Sequence, residues 1–385
     1  MESILEKEDL LRCLYLVQGV VEKRSTLPIL SHVLIETGEG EISLGATDLE
    51  VGIRQRCKAT VKKPGAVTTD ARKLYEIIRE LSPNLVSLRS TGNGWVEVSS
   101  GKSRFRMASL DPKEFPVIVP SSSGLEEQGE KKYAVSIAGH VLREMIEKTL
   151  FAASPDETRP NLSGVYLQAL PVAGHQKKNG KLRMVASDGH RLSFIEREPA
   201  SSLADDWPHT ILPRKGLVEA RKLLEKGEDI VDFSICGSTV NLRKESTELS
   251  MRLVDGEFPD YQQVIPKEKQ HEISFSREDL LGALRRLLVL TTERSRGVKL
   301  QIEKDKMEIS VNTPDLGEGV EEIAIEHGGE NLIVGFNGRY ITEMLNVLED
   351  EQKITLYLKD ESSPGLIQAE KDDSFFYVVM PMRIF

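Results

Sequence analysis

Val185-Ala186-Ser187-Asp188-Gly189-His190-Arg191-Leu192-Ser193 reads as an alternating apolar approach, a polar turn at Asp188-Gly189 and an exit through Arg191 and Leu192. Asp and Gly are common at turns for backbone reasons, so one such stretch would mean only a turn. This one recurs. A strand running into a small hydroxyl residue and then Asp stands earlier as Gly45-Ala46-Thr47-Asp48-Leu49 and later as Val311-Asn312-Thr313-Pro314-Asp315. Three occurrences at long, similar spacing imply an internal repeat, and 385 residues exceed what one hydrophobic core serves. Three domains are expected, at 1–128, 129–270 and 271–385.

Each third reads helix, strands, helix, strands. In the first, a helix over 8–21 places Leu10, Leu14, Val17 and Val21 on one face at the helical period. Strands are expected over 30–36, 42–46 and 51–57, where Ile42, Leu44 and Ala46 alternate at period two. A second helix, capped near Asp70, carries Leu74, Ile77, Ile78 and Leu81 until Pro83 stops it, and strands at 85–89, 95–99 and 104–109 follow. The second third has helices at 138–153 and 214–225, the latter stopping at Gly227. Its strands are expected at 164–170, 182–186, 231–235, 240–243 and 249–253. In the last third Ser276 caps a helix with Leu280, Leu284, Leu287 and Leu288 on one face, and Asn337 caps the second. Strands are expected there at 298–303, 307–311, 321–325, 354–358, 366–370 and 376–379. The stretch 121–130 reads as a linker and 171–181 as a surface insertion. Meandering strands with few helices give an α+β fold whose helices collect on one face of antiparallel sheets. An arc of three such domains leaves unpaired sheet edges at its two ends, and head-to-tail joining that closes makes a ring.

Charged residues at 29% and hydrophobic ones at 39% fit a globular chain. No apolar run reaches bilayer length, and the acidic start MESILEKEDLLRC is unlike a signal peptide, so a cytoplasmic protein without membrane contact is expected. Cys13, Cys57 and Cys236 form no CxxC pair, which argues for reduced thiols and against a zinc site or other metal. The net charge of −10 argues against nucleic acid unless the cations are segregated. They are patterned: Arg72 and Lys73, Arg214 and Lys215, then Arg339 open the second helix of each third. A cation beside a positive helix end costs ~0.3–1 kcal/mol, so its repetition points to a compensating role, and a helix start with Arg is a ready phosphate site. Arg24, Arg143, Lys148 and Arg159 extend this basic helical layer.

Enzyme signatures are absent: no GxxxxGK[ST], HExxH or GxSxG occurs. A hydrolase would have to use Asp188 to orient His190 as a general base. Asp48 and Asp315, the counterparts of Asp188, have no such His. A third reading is a repeat scaffold that never meets DNA.

Taken together, a set of stretches resembles the beta subunit of bacterial DNA polymerase III, the replication sliding clamp, over the whole length. They are Thr26-Leu27-Pro28-Ile29-Leu30, Ala46-Thr47-Asp48-Leu49-Glu50, Ala71-Arg72-Lys73, Ser187-Asp188-Gly189-His190-Arg191-Leu192 and Pro213-Arg214-Lys215-Gly216. Leu253-Val254-Asp255-Gly256, Phe258-Pro259-Asp260-Tyr261, Gly335-Phe336-Asn337 and Tyr377-Val378-Val379-Met380-Pro381-Met382-Arg383 complete it. The resemblance implies three alike DNA-clamp domains per chain and a head-to-tail homodimer closing to a ring, helices lining the inside and sheets outside. It implies a non-catalytic processivity factor that needs no cofactor. Such a factor encircles double-stranded DNA and tethers the polymerase III catalytic subunit, the clamp loader and other clamp-binding-motif proteins.

By this resemblance a partner-peptide groove takes Leu162, Gly189, His190, Arg191 and Leu192 from the middle domain, with Pro259 and Val264. From the last domain it takes Asn337, Tyr340, Pro364, Leu366, Val378, Met380, Pro381, Met382 and Arg383. Concave apolar pockets suit short apolar peptides, and methionines let one pocket accept many sequences. The DNA-facing cations would be Arg24, Arg72, Lys73, Arg143, Lys148, Arg159, Arg214 and Lys215. At the dimer interface Phe105 and Met107 would meet Val289 and Leu290. The chain departs from the family pattern at Gln263, at Phe385 and at Pro160-Asn161, which bears on peptide preference and DNA contact.

Overall fold

The computed structural model describes residues 1–22, 26–118, 129–170, 180–224, 229–292, 296–348 and 352–383. The chain forms two compact units, one of Met1–Arg143, Pro199–Trp207 and Lys215–Leu253, the other of Glu144–Glu198, Pro208–Arg214 and Val254–Phe385.

The first unit holds two antiparallel sheets. One has the order β5 (Thr60–Lys63), β1 (Glu2–Glu6), β7 (Leu85–Gly92), β8 (Trp95–Ser100), β9 (Ser103–Ala108). The other runs β10 (Lys132–Ala138), β15 (Ile230–Cys236), β16 (Thr239–Lys244), β17 (Thr247–Arg252), β4 (Val51–Lys58), β3 (Glu41–Thr47), β2 (His32–Thr37), β6 (Ala66–Asp70). Its middle joint pairs β17 with β4, from Thr247 opposite Gln55 to Met251 opposite Val51. One sheet therefore continues across residues that the sequence assigns to separate domains.

The second unit repeats this on a larger scale. Its sheet of twelve strands runs β14 (Thr210–Pro213), β11 (Gly164–Leu170), β12 (Lys181–Ser187), β13 (Arg191–Arg197), β25 (Asp372–Val379), β24 (Gly365–Ala369), then on through the last third. The joint here is β13 against β25, from Arg191 opposite Val379 to Ile195 opposite Phe375. The remaining strands are β23 (Lys353–Leu358), β18 (His271–Ser276), β21 (Gly317–Glu326), β20 (Lys306–Thr313), β19 (Gly297–Glu303) and β22 (Leu332–Asn337). Alternation drives the burial: Val298, Leu300 and Ile302 of β19 and Met307, Ile309 and Val311 of β20 are all buried, while their neighbours are not.

The helices among the described residues are α1 (Lys7–Val20), α2 (Ala71–Glu80), α3 (Gly139–Leu150), α4 (Arg214–Leu223), α5 (Arg277–Leu287) and α6 (Gly338–Val347). Every one follows a strand without a break, β1, β6, β10, β14, β18 and β22 in turn. These six strands, with β5 and β13, are the ones the periodicity does not reveal. A short strand that turns directly into a helix leaves no loop between the two periods, so the pattern blurs. At three of these junctions a cap at the strand end makes the switch: Asp70 accepts from Lys73 N–H at 2.8 Å, Ser276 from Asp279 N–H at 3.3 Å, Asn337 from Arg339 N–H at 3.1 Å. Helix α3 ends at Leu150 rather than 153, and Leu288 falls in a following 3-10 turn, Leu288–Leu290. The expected stop at Gly227, most of the linker and most of the 171–181 insertion lie outside the described residues. No described helix is long and apolar enough to cross a membrane.

Candidate functional site

The Asp188 turn is built almost wholly from its own polar side chains. Ser187 Oγ donates to Arg191 O at 2.7 Å and accepts from Gly189 N–H at 3.1 Å. Asp188 Oδ1 accepts from the main-chain N–H of His190 and of Arg191, at 2.9 and 3.1 Å. Gly189 takes φ of 93°, a conformation that costs glycine little. The earlier stretch folds identically: Thr47 bonds Val51 O and Leu49 N–H, and Asp48 accepts from the N–H groups of Glu50 and Val51. Leu49 adopts φ of 81° there. The third stretch closes differently, with Leu316 N–H donating to Thr313 O at 3.0 Å and Gly317 at φ of 122°.

This geometry gives the hydrolase reading no support. The second Asp188 oxygen accepts from Arg191 Nε at 3.0 Å, so the carboxylate serves the main chain and Arg191 instead of the His190 imidazole, and His190 is exposed. Among the described residues no group of His, Cys, Asp and Glu is arranged to hold a metal.

The Arg191 guanidinium is buried, the residue being 7% exposed. It donates to Glu343 and to Phe151 O, both at 2.6 Å, and lies 4.3 Å from the Tyr340 ring centroid. Burial disfavours its charge, yet Tyr377, Glu343 and Asp188 around it raise its pKa above the ordinary value. Burial likewise pushes the Glu343 carboxyl up, and the bonds from Arg339 and Arg191 hold it below the usual range. Arg191 is thus a pin between β13 and α6.

Beside the turn is a cleft of about 140 Å³ lined by Leu162, Gly189, Arg191, Leu192, Pro259, Val264, Val378 and Met380, all expected groove positions. Ser187, Phe258, Asp260 and Tyr261 also line it, and these the expectation omits. Phe258, Asp260 and Tyr261 share a stretch with Pro259, an expected groove residue, and Ser187 stands in the Asp188 stretch. The floor is a buried cluster of Val185, Leu192, Phe194, Tyr261, Leu366 and Val378, so Leu366 supports the cleft from below. Asn337 caps α6, and Tyr340 stacks on Arg191 while its carbonyl accepts from Tyr377 Oη at 3.2 Å. His190, Pro364, Pro381, Met382 and Arg383 are outside the cleft lining; Met382 is 39% exposed, with its N–H on Gly335 O. Gln263 is exposed and donates to Asp260 Oδ2 at 2.9 Å.

The cations of the expected DNA face are more committed than their sequence positions suggest. Arg72 donates to Val21 O at 3.2 Å, Arg143 to Leu224 O at 3.3 Å and Arg214 to Ala153 O at 3.1 Å. Val21 and Leu224 directly follow the last residues of α1 and α4, where a cation is favourable, and Ala153 lies three residues past the end of α3. That offsets the cost of Arg at a helix start without invoking phosphate. Lys73 pairs with Glu76 at 2.8 Å and Lys215 with Asp48. Arg159 bonds Asp156 at 3.2 Å and the Asp188 carbonyl, at the edge of the turn. Lys148 is a correction: it is 9% exposed, paired with Glu144 at 2.8 Å and Asp372 at 3.1 Å, and burial takes it out of a solvent-facing set. Arg24 and Phe385 lie outside the described residues.

Of the expected interface residues, Phe105 is 38% exposed on the edge strand β9 and Val289 is 77% exposed, with Leu290 half-buried. Met107 instead packs inward at 8%. β18 pairs with β21 only at Glu326 and Ile325, so among the described residues the edge of β21 from Gly317 to Ala324 has no strand beside it on that side.

Three family profiles match in succession: the DNA polymerase III beta subunit N-terminal domain over 1–119, its central domain over 136–260 and its C-terminal domain over 262–383. The chain is 34% identical to a beta sliding clamp of Caulobacter vibrioides over 386 residues, covering 100% of both chains. It is 35% identical to that of Pseudomonas aeruginosa over 387 residues, again covering 100% of both. A crystal structure of a DnaN sliding clamp from Bartonella birtlesii bound to griselimycin is similar with a TM-score of 0.90 at 32% identity, covering 100% of both chains. One from Pseudomonas aeruginosa, also bound to griselimycin, has a TM-score of 0.88 at 33% identity and the same coverage. With all three domains matched and full-length relatives above 30% identity, the chain belongs to the DNA polymerase III beta subunit family, the beta sliding clamps.

Proposed function

We propose that the chain is a DNA sliding clamp, a processivity factor that encircles duplex DNA and tethers the replicative polymerase and other replication and repair proteins. The observation that carries this is the apolar cleft at the Asp188 turn, assembled from the turn, the 258–264 segment and the end of β25. Its volume, about 140 Å³, is below the ~300 Å³ of a typical small-molecule site and suits one or two side chains of an extended peptide. The clamp carries no chemical step and works in the cytoplasm as a head-to-tail homodimer, a ring of six domains with helices facing DNA. Its domains are 1–128, 129–270 and 271–385. Arg72, Lys73, Arg143, Arg159, Arg214 and Lys215 form the DNA-facing set.

Dimerisation by the two open edges is supported by charge: β9 presents Arg104 and Arg106 around Phe105, and β21 carries Glu318 and Glu322, with Gly319 between them close to the Leu290 side chain; Glu321 already pairs with Arg286 at 2.7 Å. The partner would be the polymerase catalytic subunit or clamp loader, bound through a short apolar motif.

Fluorescence anisotropy of a labelled polymerase-derived peptide tests the cleft. Val264 is half-buried and lines it, so Val264→Asp removes apolar surface with little core damage. Each fully buried anchor contributes ~1.5–3 kcal/mol, and binding is expected to weaken at least about tenfold. Unchanged affinity would place the peptide site elsewhere.

A further inference from the structure

Phe258, Pro259, Asp260, Tyr261 and Val264 give the cleft one of its walls, yet they belong to a segment that is part of no sheet. Tyr261 is the one buried residue from Asp255 to Gln270, at 7% exposure. Phe258 stacks on Tyr166 with ring centroids 5.1 Å apart, and Tyr261 is the buried anchor of the wall. Its ring packs against Tyr166, Phe194 and Phe258, with centroids 6.2 to 6.3 Å away. Those contacts are apolar and tolerate sliding.

The hydroxyl is held directionally. Arg183 Nη1 donates to Tyr261 Oη at 2.8 Å, and Tyr261 Oη donates to Gln168 Oε1 at 3.1 Å. Arg183 is itself immobilised, since its Nε donates to Glu196 Oε1 at 2.9 Å and its guanidinium lies 4.7 Å from the Phe194 ring centroid. Glu196 is shared with Lys181 at 3.2 Å. A planar guanidinium gripped on two sides is a rigid donor, as a lysine would not be. Arg183 does not line the cleft.

We propose that Arg183 is a positioning residue that decides which anchor the cleft admits, by holding Tyr261 and through it the 258–264 wall. This rests on the reading of the cleft as the peptide site. In a cleft this small, displacement of a wall by ~1 Å separates room for an aliphatic side chain from room for an aromatic ring. With the wall held, the cleft takes a Leu anchor; released, it widens toward Phe.

The test uses the full chain and two labelled Ser/Gly peptides that differ only in carrying Leu or Phe anchors. Tyr261→Phe keeps the ring and deletes the hydroxyl, and Arg183→Lys keeps a cation beside Glu196. Each is expected to lower the preference for Leu over Phe by roughly three- to tenfold, the scale of one charge-assisted hydrogen bond. The double variant should go no further than the larger single effect, because both act through one bond. Thermal unfolding reports whether Arg183→Lys folds, and Tyr261→Phe carries the test if it does not. A parent-like preference in Tyr261→Phe, equal weakening of both peptides, or additive effects would each overturn the assignment. If the parent binds neither peptide, the cleft reading falls first, and the role of Arg183 with it.

Discussion

Met380 donates its main-chain N–H to the His190 carbonyl at 2.9 Å, hooking the end of the chain onto the Asp188 turn. The first unit has the same hook, Arg252 N–H on Glu50 O at 2.8 Å, against a turn with the same Asp bonds. What differs is the residue two before the hydroxyl. At Gly45 a Cβ would lie 2.5 Å from Ile118 Cδ1, so Ile118 occupies that space. Its counterpart Val185 lies in the floor beneath the cleft.

Ending the chain after Val379 removes this hook, the Met382 bond to Gly335 and the Met380 lining, but leaves β25 paired with β13 and β24. Peptide binding should be lost while thermal unfolding stays within a few degrees, since few buried groups are removed. Leu192 is a poorer probe because it is 2% exposed, and Leu192→Asp would destabilise the core through a buried charge by ~3 kcal/mol or more.

DNA contact should be weak and steeply salt-dependent, because Arg72, Arg143 and Arg214 each already hold a main-chain carbonyl and can share only part of their charge. Retention should then depend on topology. Loaded on a closed circle the protein should persist and should leave when the circle is cut, which gel filtration of protein–DNA complexes reads directly. Equal retention on linear and circular DNA contradicts encirclement.

Val289→Asp and Phe105→Asp should each shift the oligomer toward monomer, because each puts a charge at an exposed apolar position, Phe105 on the edge strand β9 and Val289 in the 3-10 turn Leu288–Leu290. With ~1.5–3 kcal/mol per apolar anchor, the dissociation constant should rise at least about tenfold. Light scattering over a concentration series checks this, and a parent that stays monomeric at micromolar concentration rules out the ring.

Acid should unfold the second unit through one cluster. Arg197 bonds Glu144 and Asp372, both at 2.6 Å, and Lys148 bonds the same two carboxylates, tying α3, β13 and β25. Burial pushes the Asp372 carboxyl up, but the bonds from Arg197 and Ser374 and the nearby cations outweigh it and leave the group well below its ordinary 3.8. A depressed carboxylate contributes stability that is full above its unfolded value and lost as pH falls. The loss should begin below about pH 4, and Asp372→Asn should flatten the pH dependence there while lowering stability at pH 7. Urea titrations at stepped pH measure both.

The sequence by itself determined the repeat, the class and most elements. Period-two runs such as Val298, Leu300 and Ile302 and the caps Asp70, Ser276 and Asn337 carry their structure locally, because backbone geometry and burial set them within a few residues. Half the cleft was also legible, since the turn residues and the tail stand in recognisable stretches. Tertiary structure alone decided the rest. It put Lys148 and Arg191 inside and turned Asp188 toward the main chain and away from His190. It also set Arg72 and Arg214 on main-chain carbonyls and gave Tyr261 its hold from Arg183. Each of these is a choice of partner for a polar group. A charged side chain in sequence states only what it can bond, whereas burial and the reach of a distant strand decide which bond it makes.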